Sequence, residues 1–463
     1  ISEALFNSHV LEINGNFCDV GNVSTDTREL LEDDFFIPLV GDRFDGHDFI
    51  EKSVEKGLRF FACLLSFKKT AKKLESKYPI NFLVVDDTLL FLQAVSSKWF
   101  YQWKKRSRGV CFGITGSNGK TTCKEMIFHL LGSQVGHSRV HATKGNFNNH
   151  VGVPLTLLGL KKNHKYLVLE IGTNHPGEIP HLSKLVEIDY GMITSIGEAH
   201  LEFFKTKHNI FKEKSALFQR ALKNSFEKKN FVVNADDNFL EKLSLNENVL
   251  SFSTRSGYDY QISFIKKGFI FTDSESFEST KFKSLEIFEK HNLLNMAQCV
   301  LLLHLCLKES ITSFIQGVRD YHPPKNNRAQ KLYRGNCLVY LDAYNANPTS
   351  MEASIASFLD FLKDQNLSPS LGSFILGDMN ELGENSKDYH LKLGKHCQDL
   401  GLPVKFVGQF RDSFKAGYPA AQTYKTLDDL KHNTAEIFEK EKFIYIKGSR
   451  SLQLESLLDI LDN

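Results

Sequence analysis

The sequence predicts an α/β protein of three domains, of which the second and third are each built on a parallel β-sheet. Apolar segments suited to buried strands alternate with helical patterns from Gly109 onward, which is typical of parallel sheets covered on both faces. His322-Pro323-Pro324 interrupts this alternation, which then resumes. The chain has 463 residues. Because that is about two to four times the length of a typical domain, more than one hydrophobic core is expected.

The first segment, residues 1–86, is predicted to be a small α/β domain. It mixes short apolar runs, such as Phe35–Leu39, with turns rich in glycine and aspartate, and it ends in the apolar run Asn81–Val85. Apolar residues at helical spacing then predict a helix over Thr88–Arg108, which links this domain to the next.

The second segment, residues 87–321, is predicted to form the central parallel-sheet domain. Its strand candidates are Val110–Ile114, Tyr166–Ile171, Tyr190–Ile196 and Phe231–Asn234. Polar and apolar residues alternate over Tyr258–Phe282, which predicts an antiparallel appendage. Two helices, over Ile287–Leu307 and Ile311–Arg319, are expected to close the domain.

The third segment, residues 322–463, repeats the alternation of strands and helices. Its strand candidates are Cys337–Asp342, Phe374–Leu376, Val404–Val407 and Phe443–Ile446. The pattern predicts a second, Rossmann-like doubly wound sheet.

Composition excludes several classes of protein. The 57 basic and 55 acidic side chains leave a net charge of +2, too balanced for an overall field built to hold nucleic acid, although this balance leaves a local basic patch open. No run approaches the ~18 apolar residues of a membrane helix, and the beginning of the sequence does not resemble a signal peptide, so a cytoplasmic location is expected. The eight cysteines form no CxxC pair, which argues against a zinc site or a disulfide framework.

A glycine-rich loop follows the first central strand and precedes a helix. It reads Gly116-Ser117-Asn118-Gly119-Lys120-Thr121-Thr122. Glycines let backbone N–H groups close around phosphate oxygens, and the following helix N-terminus adds positive potential. Lys120 is expected to reach the β- and γ-phosphates of a nucleotide, and the Thr121 hydroxyl to hold Mg²⁺. The alternative is an ordinary glycine turn.

This loop resembles the phosphate loop of the Mur ligase family, whose pattern G-x-x-G-x-x-G-K-T begins here at Gly113. The common phosphate-loop pattern would instead have glycine where this chain has Ile114. Thr143–Asn149 is similar to the asparagine-rich segment of the family, and this similarity implies that Asn146, Asn148 and Asn149 contact the substrate. The resemblance extends along nearly the whole chain and implies a central phosphate-loop ATPase-like domain.

The resemblance also implies a metal centre. Glu170 matches the metal-binding glutamate of the family, His200 its histidine at a second metal, and Lys214 its carbamylated lysine. Together with Thr121, these residues are expected to serve two Mg²⁺ ions. The family usually has glutamate where this chain has Ala216. Each assignment has a structural alternative: a helix-capping acid for Glu170, a hydrogen-bonded structural histidine for His200 and a solvated lysine for Lys214.

Other matches imply the nucleotide site. The segment with His291, Asn292 and Asn295 resembles the part of the family that lies beside adenine, where an asparagine amide offers the donor and acceptor that the base requires. A helix N-cap is the alternative for this segment. Arg328 matches the arginine that reaches the nucleotide phosphates, and Asp342 matches the carboxylate that holds the ribose.

The substrate segments point to one branch of the family. The run Y-N-A-N-P-x-S is similar to the branch that adds D-alanyl-D-alanine, and its candidate contacts are Tyr344, Asn345, Asn347 and Ser350. Gly377–Gly383, His390 and Lys447–Arg450 fit the same branch. In the first segment, the motifs Ser24–Arg28 and Gly41–Phe49 resemble a UDP-sugar-binding domain. Their candidate contacts are Ser24, Thr25, Asp26, Arg28, Phe44, Asp45, Gly46 and His47.

The resemblance implies an enzyme that uses ATP to join D-alanyl-D-alanine to UDP-N-acetylmuramoyl-tripeptide through an acyl phosphate. The product is the pentapeptide precursor of peptidoglycan. We expect the protein to be a monomer that binds these two small-molecule substrates. We expect it neither to bind nucleic acid nor to be embedded in a membrane. Three alternatives remain open: a sibling ligase adding a diamino acid, a folylpolyglutamate-synthase-like ligase, and a phosphate-loop switch that regulates a partner.

Overall fold

The computed structural model describes residues 2–28, 30–41, 44–223, 229–325, 327–431 and 441–460. Three main β-sheets follow one another along the chain. All eight cysteines lie in the described ranges and are free, and six of them are buried, whereas Cys18 is exposed and Cys306 is half-buried. Among the described residues, no helix is both long enough and apolar enough to cross a bilayer.

The first sheet has the strand order β1-β7-β6-β3-β2, in which only β1 is antiparallel to its neighbour. A separate hairpin, β4–β5, lies beside it. The strands are β1 (Val10–Asn14), β2 (Val23–Ser24), β3 (Phe35–Phe36), β4 (Val40–Gly41), β5 (Phe44–Asp45), β6 (Phe60–Leu64) and β7 (Asn81–Val85). The helices are α1 (Ser2–Leu5), α2 (Ile50–Glu55), α3 (Lys68–Glu75) and α4 (Thr88–Ser107).

Helix α4 is the linker helix that the sequence predicts. The Asp87 side chain caps it by accepting a hydrogen bond from the backbone N–H of Leu90 at 2.8 Å. It ends where Arg108 takes a left-handed conformation. Its indole N–H groups, on Trp99 and Trp103, donate to the carbonyls of Leu160 and His164, at 3.1 and 3.0 Å. The linker is therefore packed against the central sheet unit rather than free in solvent.

The central sheet has nine strands in the order β16-β15-β14-β13-β12-β11-β8-β10-β9. They are β8 (Val110–Thr115), β9 (Val140–Ala142), β10 (Tyr166–Glu170), β11 (Tyr190–Ile193), β12 (Phe231–Asn234), β13 (Val249–Ser253), β14 (Tyr260–Ile265), β15 (Gly268–Asp273) and β16 (Ser279–Lys283). The helices are α5 (Lys120–Val135), α6 (Gly152–Leu158), α7 (Glu178–Leu182), α8 (Leu201–Phe204), α9 (Lys207–Lys223), α10 (Lys290–Leu307) and α11 (Ile315–Arg319).

The predicted antiparallel appendage is present but is not separate. Strands β14, β15 and β16 pair antiparallel with one another, while β14 pairs parallel with β13 and so continues the central sheet. The predicted second closing helix is shorter than expected, since Ile311–Phe314 is a 3-10 turn and only Ile315–Arg319 is α-helical.

The third sheet has the order β17-β18-β22-β19-β20-β21 and is parallel apart from β17. Its strands are β17 (Gln330–Arg334), β18 (Cys337–Asp342), β19 (Gly372–Gly377), β20 (Val404–Val407), β21 (Gln422–Tyr424) and β22 (Phe443–Lys447). Its helices are α12 (Pro348–Asp364), α13 (Ser386–Asp399), α14 (Arg411–Gly417) and α15 (Leu427–Lys431). The doubly wound α/β fold expected from the sequence is confirmed.

The third sheet unit packs against the central one. A single apolar cluster includes Leu201 of the central unit and Leu382 of the third. A ring contact supports the same junction, since the centroids of Phe288 and Phe361 lie 4.6 Å apart with the ring planes tilted by 36°. The carboxyl ends of the central strands consequently face the first turns of the third unit, and the candidate site lies between them.

Candidate active site

The glycine-rich loop joins β8 to α5 and depends on two glycines. Gly116 (φ +153°) lies so close to β11 that an added Cβ would stand 1.9 Å from the Thr194 hydroxyl oxygen. Gly119 adopts a left-handed φ of +82°, and a Cβ there would meet the Asn295 amide at 2.9 Å. A side chain at either position would displace the loop, so its shape requires glycine.

Lys120 is the first residue of α5 and curls back over this loop. Its Nζ donates to the carbonyl of Gly116 at 2.9 Å and to that of Ser117 at 3.4 Å. Burial lowers the pKa of Lys120, and the nearby Glu170 carboxylate opposes that shift. An ammonium held by carbonyl oxygens at the N-terminus of α5 is suited to the charge of a polyphosphate.

Glu170 ends β10, is fully buried and faces the start of α5. Its Oε1 accepts hydrogen bonds from the Thr121 hydroxyl at 3.1 Å and from the Asn148 amide at 2.7 Å. Its Oε2 is buried without a hydrogen-bond partner among the described residues. A hydroxyl oxygen beside an unpaired carboxylate oxygen fits a hard divalent cation. The alternative of a helix-capping acid is wrong, because both donors to this carboxylate are side chains.

His200 follows β11 and occupies the left-handed region, with φ of +56°. Its Nδ1 lies 2.5 Å from Oε2 of Glu381, which comes from the third sheet unit and is also left-handed, at φ +61°. The His200 imidazole beside it lowers the pKa of Glu381. Non-glycine residues in this region cost free energy and cluster at functional sites, and here two of them face each other across the junction.

Lys214 lies on α9 and is buried, with 1% of its surface exposed. Burial and the positive charge of Lys120 lower the pKa of Lys214 well below its usual value, while Glu213 acts in the opposite direction. Glu213 is itself held in place, since its carboxylate accepts from the backbone N–H groups of Gly177 and Ile179 at 2.9 and 2.8 Å. The alternative of a solvated lysine is wrong.

The first turn of α10 lines the same cavity. Burial lowers the pKa of His291 there. The Asn295 amide donates to Oδ1 of Asn292 at 3.4 Å, and the Asn292 amide donates to Glu289 at 3.4 Å. Glu289, not Asn292, occupies the N-cap position, so the capping alternative does not account for Asn292.

The third sheet unit supplies an arginine, a carboxylate and a lysine. The Arg328 guanidinium lies 3.6 Å from the centroid of the Tyr344 ring, a cation–π contact. Asp342, which ends β18, accepts from Lys447 at 2.6 Å and from the Ser354 hydroxyl at 3.1 Å. Burial acts to raise the pKa of Asp342, but the Lys447 ammonium outweighs this effect and holds the pKa below its usual value.

Most of these side chains line one cavity of about 730 Å³ between the two sheet units, whereas Lys214 and Glu381 are not among its lining residues. Of the predicted residues, the cavity is lined by Ser117, Asn118, Gly119, Lys120, Thr121, Thr122, Asn146, Asn148, Asn149, Glu170, His200, His291, Asn292, Asn295, Arg328, Asp342, Tyr344, Asn345 and Ser350. Within the described residues no group of three or more His, Cys, Asp or Glu side chains could hold a metal alone.

Residues 114–303 match the sequence model of the Mur ligase middle domain. The UDP-N-acetylmuramoyl-tripeptide–D-alanyl-D-alanine ligase of Bacillus subtilis (strain 168) is 31% identical to this chain, covering 96% of it and 94% of that protein. The chain belongs to the Mur ligase family. The alignment spans all three sheet units of this Mur ligase.

Solved structures of the family have the same architecture. MurF from Acinetobacter baumannii superposes with a TM-score of 0.81 at 28% identity, covering 95% of this chain and 93% of that one. MurF from Thermotoga maritima, solved in complex with ADP, superposes at 0.77 with 25% identity, covering 97% of this chain and 98% of that one. The resemblance inferred from the motifs is thus confirmed over nearly the whole chain.

The predicted contacts in the first unit of this Mur ligase lie away from the cavity. Asp26 pairs with Arg28 at 2.5 Å on the surface, and Ser24 bonds the backbone of the same turn. Both ring nitrogens of His47 are engaged, Nδ1 with Asp45 at 2.5 Å and Nε2 with the Leu64 N–H at 3.0 Å. Contact of these residues, and of Thr25, Phe44 and Gly46, with a UDP-sugar stays a prediction. Asp42 and Arg43 of the second motif lie outside the described residues.

Sequence reasoning missed two roles in the site. Lys447 was noted only as part of a motif, although its position at the carboxyl end of β22 was the available signal. Glu381, the partner of His200, lies 181 positions further along the chain, where spacing gives no signal. Asn347 does not line the cavity and makes a different contact, described below.

Proposed function

We propose that this Mur ligase uses ATP to join D-alanyl-D-alanine to UDP-N-acetylmuramoyl-tripeptide, giving the pentapeptide precursor of peptidoglycan. The observation that carries the proposal is similarity over nearly the whole chain to UDP-N-acetylmuramoyl-tripeptide–D-alanyl-D-alanine ligases. It is combined with a phosphate loop that opens into a cavity shared by two sheet units. The sibling and folylpolyglutamate alternatives are less supported, because the curated relatives that match 96% of this chain at 31% and 29% identity are UDP-N-acetylmuramoyl-tripeptide–D-alanyl-D-alanine ligases. A regulatory phosphate-loop switch does not account for that similarity.

The reaction is proposed to proceed in two steps. A carboxylate oxygen of the tripeptide attacks the γ-phosphorus of ATP, and ADP leaves, so that an acyl phosphate forms. The amine of D-alanyl-D-alanine then attacks the acyl carbon, and the tetrahedral intermediate collapses to an amide and inorganic phosphate. No covalent bond to the enzyme is required, so the work of the protein is positioning and charge stabilisation.

Repulsion between the two anions is the main obstacle to the first step. The backbone N–H groups of the loop and the Lys120 ammonium approach the phosphates from the central unit. Arg328 approaches from the third unit, and its stacking on Tyr344 fixes the plane of the guanidinium. Preorganised donors of this kind act most strongly where charge develops in the transition state.

Mg²⁺ fits the residues present. Thr121 and Glu170 would hold one ion, as the unpaired Oε2 of Glu170 supports, and His200 and Lys214 are proposed to serve a second. When bound, the metal neutralises phosphate charge. Asn148 and Thr143 orient Glu170 for this task, because they bond its Oε1 and its backbone N–H, at 2.7 and 3.0 Å.

Carbamylation of Lys214 is the second cofactor proposal. A neutral amine can add CO₂, and the burial that disfavours the ammonium form makes the neutral amine available. Loss of a proton from the adduct leaves a carbamate anion, which would place a negative charge near Lys120. It would also lengthen the side chain toward the metal site.

We assign one role to each segment. Residues 1–86 are proposed to bind the UDP-sugar, residues 87–321 to bind ATP, and residues 322–463 to bind D-alanyl-D-alanine, with Tyr344, Asn345 and Ser350 as contacts. A cytoplasmic, monomeric enzyme is proposed.

Phosphate release should require both the UDP-muramoyl-tripeptide and the dipeptide. The assay couples phosphate release to a colour reaction and compares D-alanyl-D-alanine with D-alanine, L-glutamate and L-lysine as acceptors. Of these four acceptors, we expect only D-alanyl-D-alanine to support turnover in the presence of the tripeptide, because the Tyr344–Ser350 turn is proposed to hold a dipeptide backbone. Equal stimulation by a single amino acid would move the chain to a sibling branch.

A further inference from the structure

A reciprocal pair of side-chain amides joins the phosphate loop to the third sheet unit. The Asn347 Nδ2 donates to Oδ1 of Asn118 at 2.7 Å, and the Asn118 Nδ2 donates to Oδ1 of Asn347 at 3.4 Å. Asn118 belongs to the loop, whereas Asn347 is the N-cap of α12. The two residues are 229 positions apart, so this contact exists only when the units are docked.

The sequence led us to expect that Asn347 binds the acceptor dipeptide, but the residue is poorly placed to do so. Only 3% of its surface is exposed, and it does not line the cavity. Its Oδ1 also accepts from the backbone N–H of Ser350 at 2.9 Å, and its own N–H donates to the Ser350 hydroxyl at 3.0 Å, which completes a capping box. The side chain is occupied by the helix terminus and by Asn118.

Asn118 is in turn fixed to the central sheet. Its backbone N–H donates to the Ser195 hydroxyl at 3.2 Å, and its carbonyl accepts from the Thr194 hydroxyl. A second contact lies beside the amide pair, where the backbone N–H of Glu198 donates to the Thr349 hydroxyl at 3.3 Å. The first turn of α12 therefore rests on the loop that would carry the phosphates.

We propose that the Asn118–Asn347 amide pair is a docking contact, through which the phosphate loop holds the acceptor-binding unit in its ligation-competent position. Asn347 is then a positioning residue and not a ligand of the dipeptide. The inference rests on the proposed function. When the pair is broken the third unit docks less often, and water competes with the amine for the acyl phosphate.

The variant Asn347→Ser separates docking from capping. Serine is as good an N-cap as asparagine, so the helix terminus is retained, but its hydroxyl is too short to reach Asn118. Asn118→Ala removes the same pair from the other side. Asn385→Ser is the matched control, because Asn385 is an exposed N-cap residue of the same unit that makes no side-chain cap bond.

Hydrogen exchange of the peptide 197–204, without substrates, reports docking directly. Two of its amides are bonded to the third unit: Glu198 to Thr349, and Glu202 to the carbonyl of Glu381 at 3.0 Å. Loss of hydrogen bonds of this strength should speed exchange about two- to tenfold in Asn347→Ser and Asn118→Ala. The control should exchange like the wild type. Because this readout needs no catalysis, it can fail or succeed independently of the proposed function.

The second readout is the ratio of ADP released to amide formed. We expect the ratio to rise above the wild-type value in Asn347→Ser, and the double variant to be no worse than the poorer single one, since both changes break the same pair. Unchanged exchange in peptide 197–204 would overturn the proposal. So would a raised KM for the dipeptide with an unchanged ADP-to-amide ratio, which is the signature of a direct ligand.

Discussion

Lys120→Ala should abolish ligation while leaving the fold intact. The ammonium lies over the phosphate loop at 2.9 Å from the Gly116 carbonyl, where it would neutralise the phosphates during transfer. Losing a preorganised charge contact of this kind typically costs about a hundredfold or more in rate. The measurement is kcat for phosphate release at saturating substrates, alongside thermal unfolding.

Lys162→Ala is the control for this change. Lys162 is an exposed lysine of the same sheet unit, and surface substitutions rarely alter stability by more than about 0.5 kcal/mol. We expect its turnover and unfolding to match the wild type. Near-normal turnover in Lys120→Ala would refute the phosphate-loop assignment.

Lys214→Ala should lose about tenfold or more of the turnover, because groups that support a metal site typically contribute on that scale. If the lost group is a carbamate, acetate or formate added in solution should restore part of the activity by supplying the missing anion. A neutral buried lysine with only a packing role would give no such rescue. Turnover is therefore measured with and without the added carboxylate.

Lys212→Ala provides the matched comparison on the same helix. Lys212 is exposed, whereas Lys214 is buried, so the two changes differ in environment and not in chemistry. We expect the turnover of Lys212→Ala to match that of the wild type and to be unchanged by the added carboxylate. Wild-type turnover in Lys214→Ala would return Lys214 to a structural role.

The sequence predicted strands best where both faces are buried. The central strands β8, β10 and β12 are continuous apolar runs, as parallel strands between two helical layers must be. It missed β17 and β21, which lie at the edges of the third sheet and carry polar, half-exposed residues that read as loop. It also missed β9, which has only three residues, and β13, whose serines dilute the apolar signal.

The candidate site divides in the same way. The phosphate loop and Glu170 were predictable because a local motif or the end of a strand marks each of them. The pairing of His200 with Glu381, and of Asn118 with Asn347, joins residues from different sheet units. Such contacts depend on how the units dock, which no local pattern encodes. Burial of Lys214 was likewise hidden, since the charged residues around it on α9 suggested a solvated face.

The most direct test of the account follows an oxygen atom. The tripeptide is labelled with ¹⁸O in its terminal carboxylate and incubated with enzyme, ATP, Mg²⁺ and D-alanyl-D-alanine. In the proposed reaction the attacking carboxylate oxygen becomes the bridging oxygen of the acyl phosphate and departs with phosphorus when the amine attacks. Mass spectrometry should therefore find one ¹⁸O in the inorganic phosphate for each amide bond formed. Unlabelled phosphate accompanying amide formation, or labelled tripeptide left unligated while ATP is consumed, would contradict the account.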